Sequence, residues 1–341
     1  MTPRRVCHAE FISASRETLM LFKKLEKELQ TIIIQKPKII LGLSGGPDSV
    51  FLFYFLNKLH QENKIELVAV NLDHEWRKES AQDTEFCKNL CEQNNIKFIG
   101  KKASELQLNL KFNGSMEDIG RKLRQHLFKQ VLIEVNANYI ALAHHMQDQQ
   151  ETFFWRIIRG TTLNGLTCMK YDEPPFIRPL LNIEKKEILD YLHKNNIKYV
   201  IDQSNDSDKY LRNRIRKYVI PQLEKVDPRF TQKFASTLKH LQDEEDFLNK
   251  LTQKTFDSIF KYSEKSKRYI GDLNAFIELD LVLQKRVLIY LLNKEKVKFN
   301  PSDSFLNELL RFLKNKNGGT HEISVGFSVF KKQNLFGIVQ N

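Results

Sequence analysis

The sequence predicts an α/β chain: a Rossmann-like, doubly wound parallel sheet followed by a helical C-terminal domain that ends in a β-hairpin. Three observations predict it. Short β-rich runs alternate with amphipathic helical stretches through the first part of the chain. Runs such as Val68-Ala69-Val70 are continuously apolar, as a parallel sheet covered on both faces requires. A glycine pair, Gly45-Gly46, stands between the first such run and the helix after it, where a backbone must turn sharply. At 341 residues the chain suggests two domains, because single cores rarely grow past about 250–300 residues. We expect them over 1–215 and 216–341.

The elements follow in order. An amphipathic helix over 14–31 leads into a strand at 38–43, a helix at 50–60, a strand at 66–72, a helix at 79–93 and a strand at 97–100. A basic helix, 115–135, precedes a strand at 139–143 and a helix at 146–158. Residues 160–181 read as a long loop broken at Pro174-Pro175. A helix at 183–194, a strand near 199–201 and the polar loop 202–208 close the first domain. From Leu211 the pattern turns helical, over 211–226, 228–261, 279–293 and 304–315. Asn317-Gly318-Gly319 then opens the terminal hairpin, with 321–329 alternating as a strand and 334–339 returning.

Composition bounds the function. Hydrophobic residues at 41% and charged residues at 28% are ordinary for a soluble protein, and no apolar run reaches the roughly 18–20 residues that span a bilayer. Arg4 and Arg5 are not followed by an apolar signal core, which argues against export and for a cytoplasmic protein with no membrane partner. Cys7, Cys87, Cys91 and Cys168 suggest a reducing compartment. Cys87 and Cys91 lie one helical turn apart with no second Cys/His pair nearby, so two core thiols explain them better than zinc does. The net charge is +12, and residues 216–341 carry 22 basic against 15 acidic groups. Such a surplus fits a polyanionic partner, since phosphate neutralisation drives nucleic-acid binding.

Four clusters carry chemistry. The first is Ser44-Gly45-Gly46-Pro47-Asp48-Ser49. Strand–turn–helix context aims the free N–H groups and positive dipole end of the next helix at the turn, which suits a phosphate. Asp48 is odd in an anion site unless it holds Mg²⁺ against the phosphates or orients a substrate. A plain helix cap would explain Pro47 and one serine, not all six residues. The second, Asn71-Leu72-Asp73-His74 with Arg77 and Ser80 beyond, follows the second strand, where an adenosine lies in such a sheet. Asp73 suits a ribose hydroxyl or a basic group, and Arg77 an anion.

The third runs from His144 to Thr152. His144 and His145 leave a strand in opposite directions and do not readily chelate one ion. Asp148 and Glu151 share a helix face and suit a cationic amine, whose proton must be removed before attack. The fourth holds Arg212, Arg214 and Arg216 after the polar loop Asp202-Gln203-Ser204-Asn205. On a helix Arg212 and Arg216 share a face and Arg214 lies away.

The hexapeptide matches the Ser-Gly-Gly-x-Asp-Ser pattern of the PP-loop ATP pyrophosphatases, which bind the pyrophosphate of ATP and release it on adenylating a substrate. The whole chain resembles the bacterial tRNA(Ile)-lysidine synthetase family. The resemblance runs through Asp73-His74, Arg77-x-Glu79-Ser80, Glu117, Arg121, Arg124, the His-His-x-x-Asp-Gln-x-Glu-Thr stretch, Arg159-Gly160-Thr161, Arg178-Pro179-Leu180-Leu181 and Arg212-Asn213-x-Ile215-Arg216. The hexapeptide alone says only ATP pyrophosphatase; the combination is much more specific.

The resemblance implies a PP-loop ATPase fold and a ligase. ATP binds at Ser44, Gly45, Gly46, Pro47, Asp48, Ser49 and Asp73, with Mg²⁺ on Asp48. The O2 oxygen of the wobble cytidine of tRNA(Ile) with a CAU anticodon attacks the α-phosphate, pyrophosphate leaves, and the ε-amine of L-lysine displaces AMP at C2. It implies that Asp148 and Glu151 recognise lysine, that His145 and Arg121 stabilise the adenylated intermediate, and that Arg212, Arg214 and Arg216 bind RNA. A homodimer is compatible with it. Three departures stand out: Gln147 replaces the first Asp of the usual Asp-Asp-Gln, the usual His-Gly-Leu-Arg is His74-Glu75-Trp76-Arg77, and the chain looks like the short form without a second C-terminal domain. Two rivals remain. A PP-loop tRNA thiolase needs a Cys-x-x-Cys or paired catalytic cysteines; an RNA-binding protein with a relict loop tolerates loss of Asp48 or Asp148, and both are present.

Overall fold

A computed structural model describes residues 16–76, 79–106, 116–201, 208 and 210–341. Arg77, the loop 202–207 and Cys7 lie outside the described residues, as does the side chain of Glu117. The chain divides into two compact units, Met1–Lys239 and His240–Asn341.

The first unit opens with α1 (Arg16–Glu28) and α2 (Gln30–Ile33). An alternation follows: β1 (Lys38–Gly42), α3 (Pro47–Gln61), β2 (Glu66–Asp73), α4 (Ser80–Gln93), β3 (Lys97–Lys102), α5 (Met116–Glu134), β4 (Tyr139–Ala141) and α6 (Met146–Arg159). Next come α7 (Leu163–Leu166), β5 (Asp172–Glu173), β6 (Phe176–Ile177) and α8 (Lys185–Lys194). Then α9 (Leu211–Arg214), a π-helical turn at Ile215–Val219, α10 (Ile220–Val226) and the start of α11 (Phe230–Ile259) complete the unit. The described strands form one sheet in the order β3-β2-β1-β4-β6-β5, parallel except for the β5–β6 pair.

Alternation along the strands explains the two layers. Ile39, Leu41, Leu67 and Ala69 face a core shared with α1, α3, α4 and α8, whereas Ile40, Val68, Val70 and Leu72 face α5 through Leu123, Leu127 and Phe128. Burying both faces is what the continuous apolar runs demanded. Strand order reverses between β1 and β4, so the crevice outside their carboxyl ends is where a doubly wound sheet binds ligands.

Several expectations need correction. The loop over 160–181 contains α7 and the β5–β6 hairpin, whose turn is Pro174-Pro175. Residues 199–201 pair with no strand; Val200 instead donates its N–H to the Gly45 carbonyl (2.9 Å). The division falls at Lys239–His240 rather than after 215. Phe234 and Leu238 of α11 are buried against Met146 and Cys168, and Gln150 donates to Thr231 Oγ1 (3.0 Å). These contacts tie the start of α11 to α6.

The second unit holds the rest of α11, then β7 (Phe260–Ser263), β8 (Arg268–Asp272), α12 (Leu273–Ile277), α13 (Leu281–Lys294), α14 (Asp303–Lys314), β9 (Gly319–Ser324), β10 (Phe327–Lys332) and β11 (Leu335–Gln340). The expected hairpin is three strands, because Gly326 turns the chain at φ +79, and they join β7 and β8 in an antiparallel sheet of order β7-β8-β11-β10-β9. The long helix expected over 228–261 ends at Ile259, and the β7–β8 hairpin follows, mostly in a stretch with no expected element; Phe256 and Phe260 keep helical spacing across the boundary. Those two rings stack at 4.5 Å in a core with Phe276, Leu291, Leu309 and Phe336.

Candidate functional site

The loop after β1 is built to receive an anion. Gly45 sits at φ +83, a left-handed backbone that favours glycine, and a Cβ there would meet Val200 Cγ2 at 3.2 Å and Cys87 Sγ at 3.3 Å. Ser49 Oγ donates to the Gly46 carbonyl (2.9 Å) and accepts from the Ser44 N–H (3.2 Å), which pins the turn. Gly46 caps α3 with no side-chain hydrogen bond, and Pro47 follows. The N–H groups of the first turn of α3 therefore lack a side-chain cap, and with the helix dipole they suit phosphate. Behind the loop, the buried Asn71 amide donates to the Leu43 carbonyl (2.8 Å) while its Oδ1 accepts from Thr84 Oγ1 (2.9 Å).

β4 delivers the second half from the far side of the switch point. His145 caps α6 reciprocally: its Nδ1 accepts the Gln147 N–H (3.2 Å), and Asp148 Oδ2 accepts the His145 N–H (2.8 Å). With Nδ1 accepting, the ring proton belongs on Nε2, which lies 3.7 Å from Asp48 Oδ1 and 3.6 Å from Asp148 Oδ2. A single imidazole thus stands between the loop carboxylate and the α6 carboxylate. Burial alone would raise the Asp148 pKa, but the neighbouring imidazoles of His145 and His144, the His145 N–H and the Arg216 charge outweigh it and hold it below the usual range. Desolvation pushes His144 down to about 4, with Arg178, Arg212 and Arg124 adding to the effect against Asp148, and its buried Nδ1 has no hydrogen-bond partner among the described residues. Among the described residues no group of three or more His, Cys, Asp or Glu side chains could hold a metal.

Two residues that sequence reasoning left unassigned complete the site. Lys185, the first residue of α8, places Nζ 2.5 Å from Asp48 Oδ1. Its backbone N–H donates to Gln147 Oε1 (2.8 Å), so the departure from the usual acid caps α8 from α6. The sequence did carry a signal: Lys185-Lys186 opens a helix at the end where cations are disfavoured.

The other expected residues divide. Arg212 and Arg216 do share a face, but it faces α6: Arg212 donates to Thr152 Oγ1 (2.9 Å), and Arg216 grips buried Glu151 at 2.6 and 3.1 Å. Arg214 points away and is exposed. Burial pushes Glu151 up and Arg216 pulls it back only in part. Glu151 is thus an ion-pair partner of Arg216. Arg121 pairs with Asp118 at 2.7 Å on the exposed face of α5, and the structure does not bring it to Asp48 or Asp148. Asp73 is buried at the end of β2 and accepts the Glu75 N–H (2.8 Å). Glu75 holds φ +58, a left-handed backbone that favours glycine, at the position where the usual pattern has one. Beside it, His74 stacks on Trp76 at 4.5 Å and accepts from Arg124 (3.3 Å).

A family model described as a PP-loop domain matches residues 18–223. The chain is 32% identical over 285 residues to the tRNA(Ile)-lysidine synthase of Bacillus cereus (strain ATCC 14579), covering 81% of this chain and 60% of that one. It is 32% identical over 295 residues to that of Petrotoga mobilis, covering 86% and 90%. The chain thus spans about 60% of the length of the Bacillus relatives it matches. Among solved structures, the U34-tRNA thiolase NcsA of Methanococcus maripaludis superposes with a TM-score of 0.58 at 21% identity, covering 67% of this chain and 80% of that one, a likeness of fold. The loop, the switch-point geometry and these matches together place the chain in the tRNA(Ile)-lysidine synthase family of PP-loop proteins.

Proposed function

We propose that this chain uses ATP to ligate free L-lysine to C2 of the wobble cytidine of tRNA(Ile) with a CAU anticodon, releasing AMP and pyrophosphate. The observation that carries the reading is the meeting of Asp48 and Asp148 across His145, at the point where the sheet reverses. The uncapped start of α3 would bind the polyphosphate and stabilise charge developing on it as the α-phosphorus is attacked. Asp148 would pair with the lysine ammonium. His145, with its proton between the two carboxylates, would hold them apart and stabilise the adenylated cytidine. Arg214 and the basic stretch after it, residues 216–341 with 22 basic against 15 acidic groups, would meet tRNA phosphates. A magnesium ion carried on the triphosphate fits, because Mg²⁺ takes one or two carboxylates plus phosphate oxygens and Asp48 stands at the loop; Asp48 would hold it and the ion would offset phosphate charge.

Chemistry at cysteine fits less well. Cys87, Cys91 and Cys168 are buried free thiols whose pKa values burial pushes up to about 12, the opposite of an activated thiolate. The test is incubation with ATP, radiolabelled lysine and tRNA(Ile) bearing CAU. Label should enter the tRNA with AMP as co-product. ADP as product, or no label in tRNA, would refute the reading.

A further inference from the structure

We propose that Lys185 is a phosphate-binding residue of the loop, held on Asp48 until a polyphosphate takes its place. The inference rests on the reading that the loop binds ATP, and it adds a group outside the loop.

Four features converge. First, the ammonium is already at the loop, with Nζ 2.5 Å from a carboxylate on the first turn of α3. Second, Lys185 occupies the first position of α8, where a cation opposes the helix dipole. A locally unfavourable choice of this kind belongs where function requires it. Third, the position is fixed from outside its own helix, since Gln147 Oε1 accepts its N–H (2.8 Å). Fourth, α3 and α8 start together at Asp48–Lys185 and stay in contact along their length, with Phe51 and Tyr191 edge to face at 5.0 Å. Two helix N-termini and one ammonium therefore converge on one loop, and Asp48 is the carboxylate within bonding distance of that ammonium.

An ammonium carries three donors on a flexible four-carbon stem. When phosphate oxygens fill the loop, Nζ exchanges its bond to Asp48 for one to the polyphosphate, and Asp48 is released. The ion pair is thus a placeholder that keeps the loop carboxylate neutralised before the anion arrives. The chemical class recognised is a polyphosphate, of which inorganic pyrophosphate is the simplest member.

The full chain is titrated with inorganic pyrophosphate and with AMP in metal-free buffer, with urea midpoints checked for each variant. Lys185→Gln should weaken pyrophosphate binding about tenfold to a hundredfold, the worth of a charge-assisted hydrogen bond, and change AMP binding by less than about twofold. Lys185→Arg should retain most of the affinity. Asp48→Asn should raise pyrophosphate affinity when Lys185 is present and lose that gain in the Lys185→Gln background, a coupling that a merely structural ion pair does not produce. Equal pyrophosphate affinity in wild type and a folded Lys185→Gln would overturn the assignment and leave the functional reading standing. A wild type that binds neither pyrophosphate nor ATP would overturn both.

Discussion

Replacing Arg216 by methionine tests whether the fourth cluster belongs to the site or to a solvated face. Glu151 is 1% exposed, and Arg216 grips it through two hydrogen bonds of 2.6 and 3.1 Å. Removing one partner of a wholly buried ion pair costs about 3–5 kcal/mol because the other charge is stranded; Arg216 is 44% exposed, so the cost here lies below that range. Protonation sets a ceiling. Neutralising a carboxyl of ordinary pKa 4.5 at pH 7 costs about 1.36 kcal/mol for each of 2.5 units, or about 3 kcal/mol. At pH 5 the same step costs under about 1 kcal/mol. In the variant the folded pKa of Glu151 lies above its unfolded value, so the folded state binds the extra proton and the penalty grows as pH rises from 4.5. Arg216→Met should therefore lower the first unit's melting temperature by roughly 6–12 °C at pH 7, with a much smaller loss at pH 5. Thermal unfolding followed by circular dichroism at both pH values reads this directly. Adding Glu151→Gln should restore most of the loss at pH 7. Equal destabilisation at the two pH values, or no recovery in the double variant, would refute the buried-pair account.

Other outcomes follow from the same geometry. Gly45→Ala forces a side chain into the left-handed region at φ +83 and toward Val200 and Cys87, so ATP binding by calorimetry should fall at least about tenfold while the fold persists. His144 and His74 both titrate near pH 4 rather than 6.5 when folded; their contribution to stability is complete above pH 6.5 and is lost as pH falls toward 4, at most about 3 kcal/mol each. Urea midpoints between pH 7 and 4.5 should show the fall, and His144→Gln should flatten it. A chain ended at 225 loses buried Phe234 and Leu238, about 1.5–3 kcal/mol apiece, and should melt well below one ended at 239. Equal melting temperatures would place the domain division back near 215.

The sheet was legible because a doubly wound core writes itself as apolar runs, and the site because its strands end in polar clusters. Asp48, His145 and Asp148 are each visible that way. Lys185 was not, because the contact that matters joins residues 48 and 185, and a lysine on an amphipathic helix reads as solvated surface. The contact between Glu151 and Arg216 is not legible in the sequence, because nothing along the chain shows that α9 and the turn after it fold back onto α6. The start of β7 reads as helix because Phe256 and Phe260 satisfy a helical period as well as a stacked pair across an element boundary, while β8 falls in a stretch whose pattern assigns no element. Gln147 shows the reverse case, where a departure from the usual acid became intelligible only as a cap on another helix.

The buried thiols give the protein a built-in clock. Cys87 and Cys91 lie on α4 behind the loop, Cys168 sits among Met146, Phe234 and Leu238, and a sulfur with a pKa near 12 ignores an alkylating reagent at neutral pH. Each becomes reactive only in molecules whose local packing has opened. The modification rate at each position, read by peptide mass, is therefore a local opening rate for the wall behind the loop and for the seam between α6 and α11. A ligand that fills the loop should slow the first far more than the second.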